Sequence, residues 1–280
     1  MGVPTIKVEI AFPSDPLDVP DSTTNQLPTD MSGLVAWYDF SDITALFEDT
    51  ARTDLVDVDG DLIKGVTDKS GGGNHLSEAT NAPTYKTAIV NGRSVARFDG
   101  TNDTLMTAGI TTAQPYTLFV VAKADIATIA ADQEIVSGEA ENPAIYLDNA
   151  TDRYAYKAGT AQVGSVAMNT SFRVLGGVFN GASSSLYVDG SLASSGNPGS
   201  GGFATDVDHR TRIGSGCDSA GAAVEFFDGD IAEVILYNRA LASTERRVIE
   251  KYLALKYGIT VSGTDWTDVS TYVRSVQISR

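Results

Sequence analysis

The chain has 280 residues, 36 acidic and 20 basic, for a formal charge of −16, with 42% hydrophobic residues and 27 glycines. That balance excludes a disordered chain, and the negative charge argues against nucleic acid and anionic membrane surfaces as partners. A single cysteine, Cys217, excludes an intrachain disulfide framework, and no apolar run has the length of a bilayer span or the pattern of a secretion signal.

In chain order, Ile6, Val8, Ile10 and Phe12 alternate with polar or small neighbours, which predicts a half-buried strand over residues 5–12. Residues 13–30 hold four prolines among Ser, Thr, Asp and Asn, and residues 21–30 read as a linker. From Leu34 to Tyr237 short apolar runs recur between turn signals. Asp59-Gly60, Asn91-Gly92, Asp99-Gly100, Asn180-Gly181 and Asp189-Gly190 all suit the positive φ of tight turns. The runs predict strands at Val95–Phe98, Tyr116–Ala122, Ala144–Leu147, Arg153–Lys157, Phe172–Phe179, Ser185–Val188 and Ile231–Tyr237. Many short strands without interspersed helices point to an all-β, two-sheet antiparallel sandwich.

The glycine- and serine-rich stretch Ser194–Gly202 reads as a long mobile loop. One helix is expected, capped by Ser243, with Glu245 in its first turn and Gly258 as a left-handed C-cap. Its apolar face is marked by Val248, Ile249, Tyr252, Leu253 and Leu255, while Arg246, Arg247, Glu250 and Lys251 lie elsewhere. Beyond it, residues 261–265 form a connector, and Val273, Val276 and Ile278 lie in a strand-like run.

Five stretches carry a resemblance. They are Leu34–Asp39, Thr67–Leu76, Val95–Leu105, Tyr116–Ala122 and Gly229–Leu241, followed by the helix. Over residues 31–260 the chain resembles laminin-G-like jelly-roll domains of the concanavalin A-like lectin/glucanase superfamily. The ends, Met1–Asp18 and Trp266–Arg280, resemble the uninterrupted start of actinobacteriophage minor tail proteins. The resemblance divides the chain into residues 1–20 as the N-terminal strand of a tail-type β domain, 21–30 as linker, 31–260 as an inserted jelly roll, and 261–280 as linker and closing strand. The two ends would then form a small β element of their own. Insertion is easy where the guest's termini lie close together and the host loop is exposed.

Glucanases of that superfamily use a Glu-x-Asp-x-x-Glu strand, whose counterpart here is Asp228-Gly-Asp230-Ile-Ala-Glu233. Aspartate replaces the first glutamate, and the segment equally fits a turn entering a core strand, so the chain reads as a non-enzyme. His75 and His209 read as surface residues, too few with Cys217 for a zinc site. Gly71-Gly-Gly73 is a turn without a phosphate-binding motif. No cofactor is required by the sequence. Calcium is the one the resemblance implies, with Asp39, Asp68 and Asn74 as ligands or, alternatively, as solvated turn residues. Asp57-Val-Asp-Gly-Asp61 lacks EF-hand spacing and reads as a hairpin. A sugar site needs an aromatic platform beside polar groups, which Tyr154 and Tyr156 with Asp148, Asn149 and Asp152 could supply; a tyrosine pair packed between the sheets is the alternative. Trp37 reads as core.

Taken with the resemblance, these readings give a virion protein of a phage tail whose lectin-like module adheres to host-surface glycans. Its expected partners are other tail proteins, with homo-oligomerisation in the virion. The alternatives are a structural decoration or fibre subunit without ligand and, third, a glycoside hydrolase.

Overall fold

A computed structural model describes residues 27–107, 109–138, 143–203 and 210–262. The expected strands at 5–12 and 266–280, and His209, lie outside the described residues.

In chain order the strands are β1 (Leu34–Asp39), β2 (Leu46–Phe47), β3 (Gly65–Val66), β4 (Leu76–Ser77), β5 (Thr84–Val90), β6 (Arg93–Asp99), β7 (Leu105–Thr107), β8 (Tyr116–Ala124), β9 (Gln133–Ser137), β10 (Ala144–Asp148), β11 (Arg153–Lys157), β12 (Ala161–Ala167), β13 (Arg173–Phe179), β14 (Ser184–Val188), β15 (Ser191–Gly196), β16 (Arg212–Ile213), β17 (Gly216–Cys217), β18 (Ala223–Val224) and β19 (Asp228–Tyr237). A helix, α1 (Ser243–Tyr257), follows. They form a jelly-roll sandwich of two antiparallel sheets. The first runs β15-β14-β13-β8-β19-β6-β5 with β1 also on β19, and the second runs β12-β11-β10-β9-β16-β7-β4-β3-β2. Strand β19 serves two neighbours along one edge: Asp228–Ile231 pair with β6, and Glu233–Tyr237 with β1.

The turn dipeptides act as their chemistry requires. Asn91 and Gly92 (φ 46° and 72°) join β5 to β6, and Asp189 and Gly190 (φ 48° and 74°) join β14 to β15. Both residues of each pair are left-handed, the twist that a two-residue hairpin needs.

Two apolar layers result. Between the sheets, Tyr38, Phe98, Leu118, Val120 and Leu236 meet Ile135, Ile145, Leu147, Tyr154, Tyr156 and Ile213. On the other face of the first sheet, Trp37, Phe119, Val121, Ile235 and Tyr237 meet Val248, Ile249, Leu253 and Tyr257 of α1. The helix covers the second face of the central strands, so β8 and β19 are buried almost continuously instead of at alternate residues. Each fully buried large apolar side chain stabilises the fold by about 1.5–3 kcal/mol.

Four expectations need correction. The helix N-cap is Ala242, not Ser243, and Glu245 does the capping: its Oε2 accepts the Ala242 N–H at 2.9 Å while Arg239 clamps the carboxylate. Leu255, assigned to the apolar face, is 51% exposed, whereas Arg246, Glu250 and Lys251 are buried. The guanidinium of Arg246 stacks 3.5 Å from the Tyr187 ring and pairs with Glu250, so a polar face can lie on the sheet flank because it brings its own counter-charge.

Part of Ser194–Gly202 belongs to β15, and the rest is pinned: the Pro198 carbonyl accepts the Ala158 and Thr160 N–H groups at 2.7 Å each. In the expected linker 21–30, Pro28–Asp30 forms a 3-10 turn, and the buried Pro28 gives its carbonyl to the Tyr237 hydroxyl at 2.9 Å.

Candidate functional site

The expected tyrosine platform is not at the surface. Tyr154 and Tyr156 point inward from β11 and are 1% and 0% exposed, and Tyr156 lies edge-on to Phe179 at 5.5 Å. Alternation along an antiparallel strand places i and i+2 on one face, and here that face is the interior. Asp148, Asn149 and Asp152 are engaged locally: Asp148 accepts the Thr151 hydroxyl at 2.6 Å, the Asn149 N–H goes to Asp132 at 2.8 Å, and Asp152 accepts the Ile129 N–H at 3.1 Å. These five residues therefore form no open sugar platform.

Asp39, Asp68 and Asn74 do not present a shared cage of oxygens. Asp68 is buried and accepts the Trp37, Ser70 and Asn74 N–H groups at 3.0, 2.9 and 2.9 Å, and the Ser70 hydroxyl at 2.8 Å, which ties the Thr67–Leu76 segment to β1. Asn74 donates its amide to the Val35 carbonyl at 2.8 Å. Asp39 is held by two lysines, described below. His75 is half-buried, not simply a surface residue, and its Nδ1 accepts the Asp68 N–H at 3.0 Å. Residues 57–61 close a turn, with Asp61 accepting the Asp57 and Val58 N–H groups at 3.0 and 2.7 Å. Glu48, Asp57 and Asp61 bring ligand oxygens within 4.8 Å of one another, the one such group among the described residues, with Asp57 exposed.

Two of the glucanase-like carboxylates, Asp230 and Glu233, are buried and matched with cations. Asp230 is fully buried; Arg97, its partner across to β6, forks onto it at 2.7 and 2.9 Å, and Lys123 on β8 approaches to 3.0 Å. A bulge between Ile231 and Glu233 returns Glu233 to the helix side of the sheet.

There Glu233 accepts four hydrogen bonds: the Trp37 indole N–H at 2.6 Å, the Tyr252 hydroxyl at 2.9 Å, and both the Tyr257 hydroxyl and the Lys256 ammonium at 2.7 Å. Its cross-strand partner is Asp39. Two like charges face to face would repel, and Lys256 resolves the conflict by lying 2.7 Å from a carboxylate oxygen of each. Lys69 continues the chain, 3.0 Å from Asp39 and 2.6 Å from Asp42, with its ammonium 4.5 Å from the Trp37 ring centroid. Burial would raise the Asp39 carboxyl, but Lys256, Ser41 and Lys69 hold it down at about 2. Burial pushes the Glu233 carboxyl up, against the pull of Lys256.

Beside this network opens a cleft of about 830 Å³, lined by Leu27, Thr29, Trp37, Asp39, Lys69, Arg93, Tyr252, Leu255 and Lys256. Its size suits a small ligand, and its lining joins apolar surface to a few fixed polar groups. The sheet supplies Trp37, Asp39 and Arg93; the helix supplies Tyr252, Leu255 and Lys256, which lie three and four residues apart on one helical face. The chain alone gives Lys69, Arg93, Tyr252 and Lys256 no motif. The one local signal is the i, i+4 spacing of Tyr252 and Lys256.

Residues 99–245 match the family model described as the concanavalin A-like lectin/glucanases superfamily, of laminin-G type. A search of curated proteins gave no match. Among solved structures, the chain is similar to domain 4 of a GH43 extracellular arabinanase from Geobacillus stearothermophilus in complex with arabinotriose (TM-score 0.52, 14% identity, 76% of this chain and 96% of that one). It is also similar to Trypanosoma rangeli sialidase in complex with sialic acid (TM-score 0.53, 16% identity, 81% of this chain). A third is the binding domain of Paraclostridial Mosquitocidal Protein 1 (TM-score 0.54, 11% identity, 80% of this chain and 52% of that one). The match spans 33% of the sialidase chain. At these identities the likeness is one of fold. Among the described residues no helix is long and apolar enough to cross a membrane.

Proposed function

Because the chain belongs to the concanavalin A-like lectin/glucanases superfamily, we propose that its jelly roll is a non-catalytic glycan-binding module, carried by a phage minor tail protein for adhesion to the host surface. The observation that carries the binding role is the cleft beside α1, where the apolar side chains Tyr252 and Leu255 stand next to Arg93, Lys69 and Lys256. A sugar ring has an apolar face and a hydroxylated rim, and such a lining can meet both. The arabinanase domain, which is similar over most of its own length, is in complex with arabinotriose, and this supports a small glycan as ligand.

Absence of turnover is supported by the state of the carboxylates. Glycoside hydrolysis needs one carboxyl to protonate the leaving oxygen and another to reach the sugar or a water. Asp230 and Glu233 are buried and fixed by Arg97, Lys123, Lys256, Trp37 and two tyrosines. The tail setting, with other tail proteins and further copies of this chain as partners, rests on the resemblance of residues 1–18 and 266–280 to minor tail proteins.

The test is a glycan array run beside a reducing-sugar assay on the same ligands. Retention of host-envelope oligosaccharides, reduced at least tenfold by Tyr252→Ala and with no release of reducing ends, is the expected outcome. Release of reducing ends that disappears in Glu233→Gln would overturn the non-catalytic reading. For the setting, mass spectrometry of purified virions is expected to find the chain among tail components; its absence would overturn the tail assignment.

A further inference from the structure

The cations around the cleft are not equivalent. Lys69 lies between Asp39 and Asp42, and Lys256 between Asp39 and Glu233, so each is already neutralised by two carboxylates. Arg93 is different. It is exposed on the cleft rim, its Nε donates to the Lys256 carbonyl at 2.9 Å, and among the described residues no carboxylate pairs with it. That carbonyl is at the C-terminal end of α1, where the helix dipole favours a cation, and Asn91 Nδ2 donates to the same oxygen at 3.1 Å. One edge of the guanidinium is thereby anchored, and the edge carrying the two terminal nitrogens is left to donate. A guanidinium held in this way presents two parallel N–H groups, the fork that a carboxylate accepts.

Resting on the reading of the cleft as a glycan site, we propose that it selects acidic sugars, with Arg93 gripping the carboxylate of a uronic acid while the ring lies along Tyr252 and Leu255. The overall charge of −16 narrows the class. A densely charged polyanion meets a repulsive field over the whole surface, whereas a single carboxylate in a largely neutral oligosaccharide meets mainly the local guanidinium. The ligand class is therefore a sparsely acidic glycan. Lysine at position 93 would keep the charge without the planar fork.

The experiment is isothermal titration of the full chain with a trisaccharide carrying one glucuronate, with its methyl ester, and with a heparin-derived sulfated trisaccharide. Each is measured on the wild type, Arg93→Gln, Arg93→Lys and Leu255→Ser, with thermal melts to confirm folding. Esterification is expected to weaken wild-type binding about 10- to 100-fold, the range of a charge-assisted hydrogen-bond pair. Arg93→Gln should abolish the difference between acid and ester, Arg93→Lys should leave part of it, and the sulfated probe should bind less well than the glucuronate. Equal binding of acid and ester by the wild type, or an acid preference that survives Arg93→Gln, would overturn the inference. If both bind equally and Leu255→Ser weakens both, the glycan site stands and only the acidic selectivity fails. If no probe binds, both readings fail.

Discussion

The two faces of the first sheet are packed with different material. Toward the second sheet, the interior is closed and apolar, from Tyr38 and Phe98 to Ile145 and Tyr156. Toward α1, an apolar patch around Trp37, Ile235 and Leu253 runs directly into a chain of charges, Asp42, Lys69, Asp39, Lys256 and Glu233, and then into an open cleft. The inner layer needs only shape and burial. The helix-side layer needs every donor matched to an acceptor, because a buried charge that loses its partner costs far more than a lost methyl group. The proposed ligand site lies in the second layer, where fixed polar groups at the edge of a core are already paid for by the fold.

The largest expected effect comes from breaking the hub. Glu233→Ala leaves the Trp37 indole, two tyrosine hydroxyls and Lys256 without their shared acceptor, and urea denaturation is expected to show a loss of roughly 3–5 kcal/mol. A loss below about 1 kcal/mol would mean that the hub is as tolerant as a surface ion pair.

Next is the pH response of Asp39. Its carboxyl is depressed in the fold, from 3.8 to about 2. Its contribution is therefore present above pH 3.8 and is lost as pH falls through about 2. The wild type is expected to exceed Asp39→Asn by about 2 kcal/mol near pH 6, with the gap closing by about pH 2. A gap that does not change over that range would contradict the pairing of Asp39 with Lys256 and Lys69. The smallest effect belongs to the inner layer. Tyr156→Phe removes only a long hydroxyl contact of 3.4 Å to the Gly196 carbonyl, and a cost below about 1 kcal/mol is expected in the same denaturation series.

The same contrast explains what could be read from the chain. Arg153–Lys157 was legible to the residue, since an alternating run between turn signals needs no distant information. The hairpin dipeptides were legible for the same local reason. The alternation left both faces open for Tyr154 and Tyr156, since it reads identically whether they meet solvent or the opposite sheet, and the structure takes the alternative of a pair packed between the sheets. The Trp37–Glu233 bond joins positions 196 apart, and Asp39 stands opposite Glu233 only through strand register, so neither is written in local spacing. The helix was legible as a helix, and so was most of its apolar face, Val248, Ile249, Tyr252 and Leu253. What could not be read was the burial of Arg246 and Glu250, which depends on Tyr187, brought by β14 from far along the chain.

The most direct test of the proposed glycan cleft is chemical-shift mapping of the labelled chain titrated with the glucuronate-bearing trisaccharide. Saturable shifts at the Trp37 indole, the Arg93 guanidinium and the Tyr252–Lys256 turn are the expected result. Shifts confined to the outer face of the second sheet, around Tyr146 and the Lys157–Glu134 pair, with the Trp37 indole unmoved, would contradict the account.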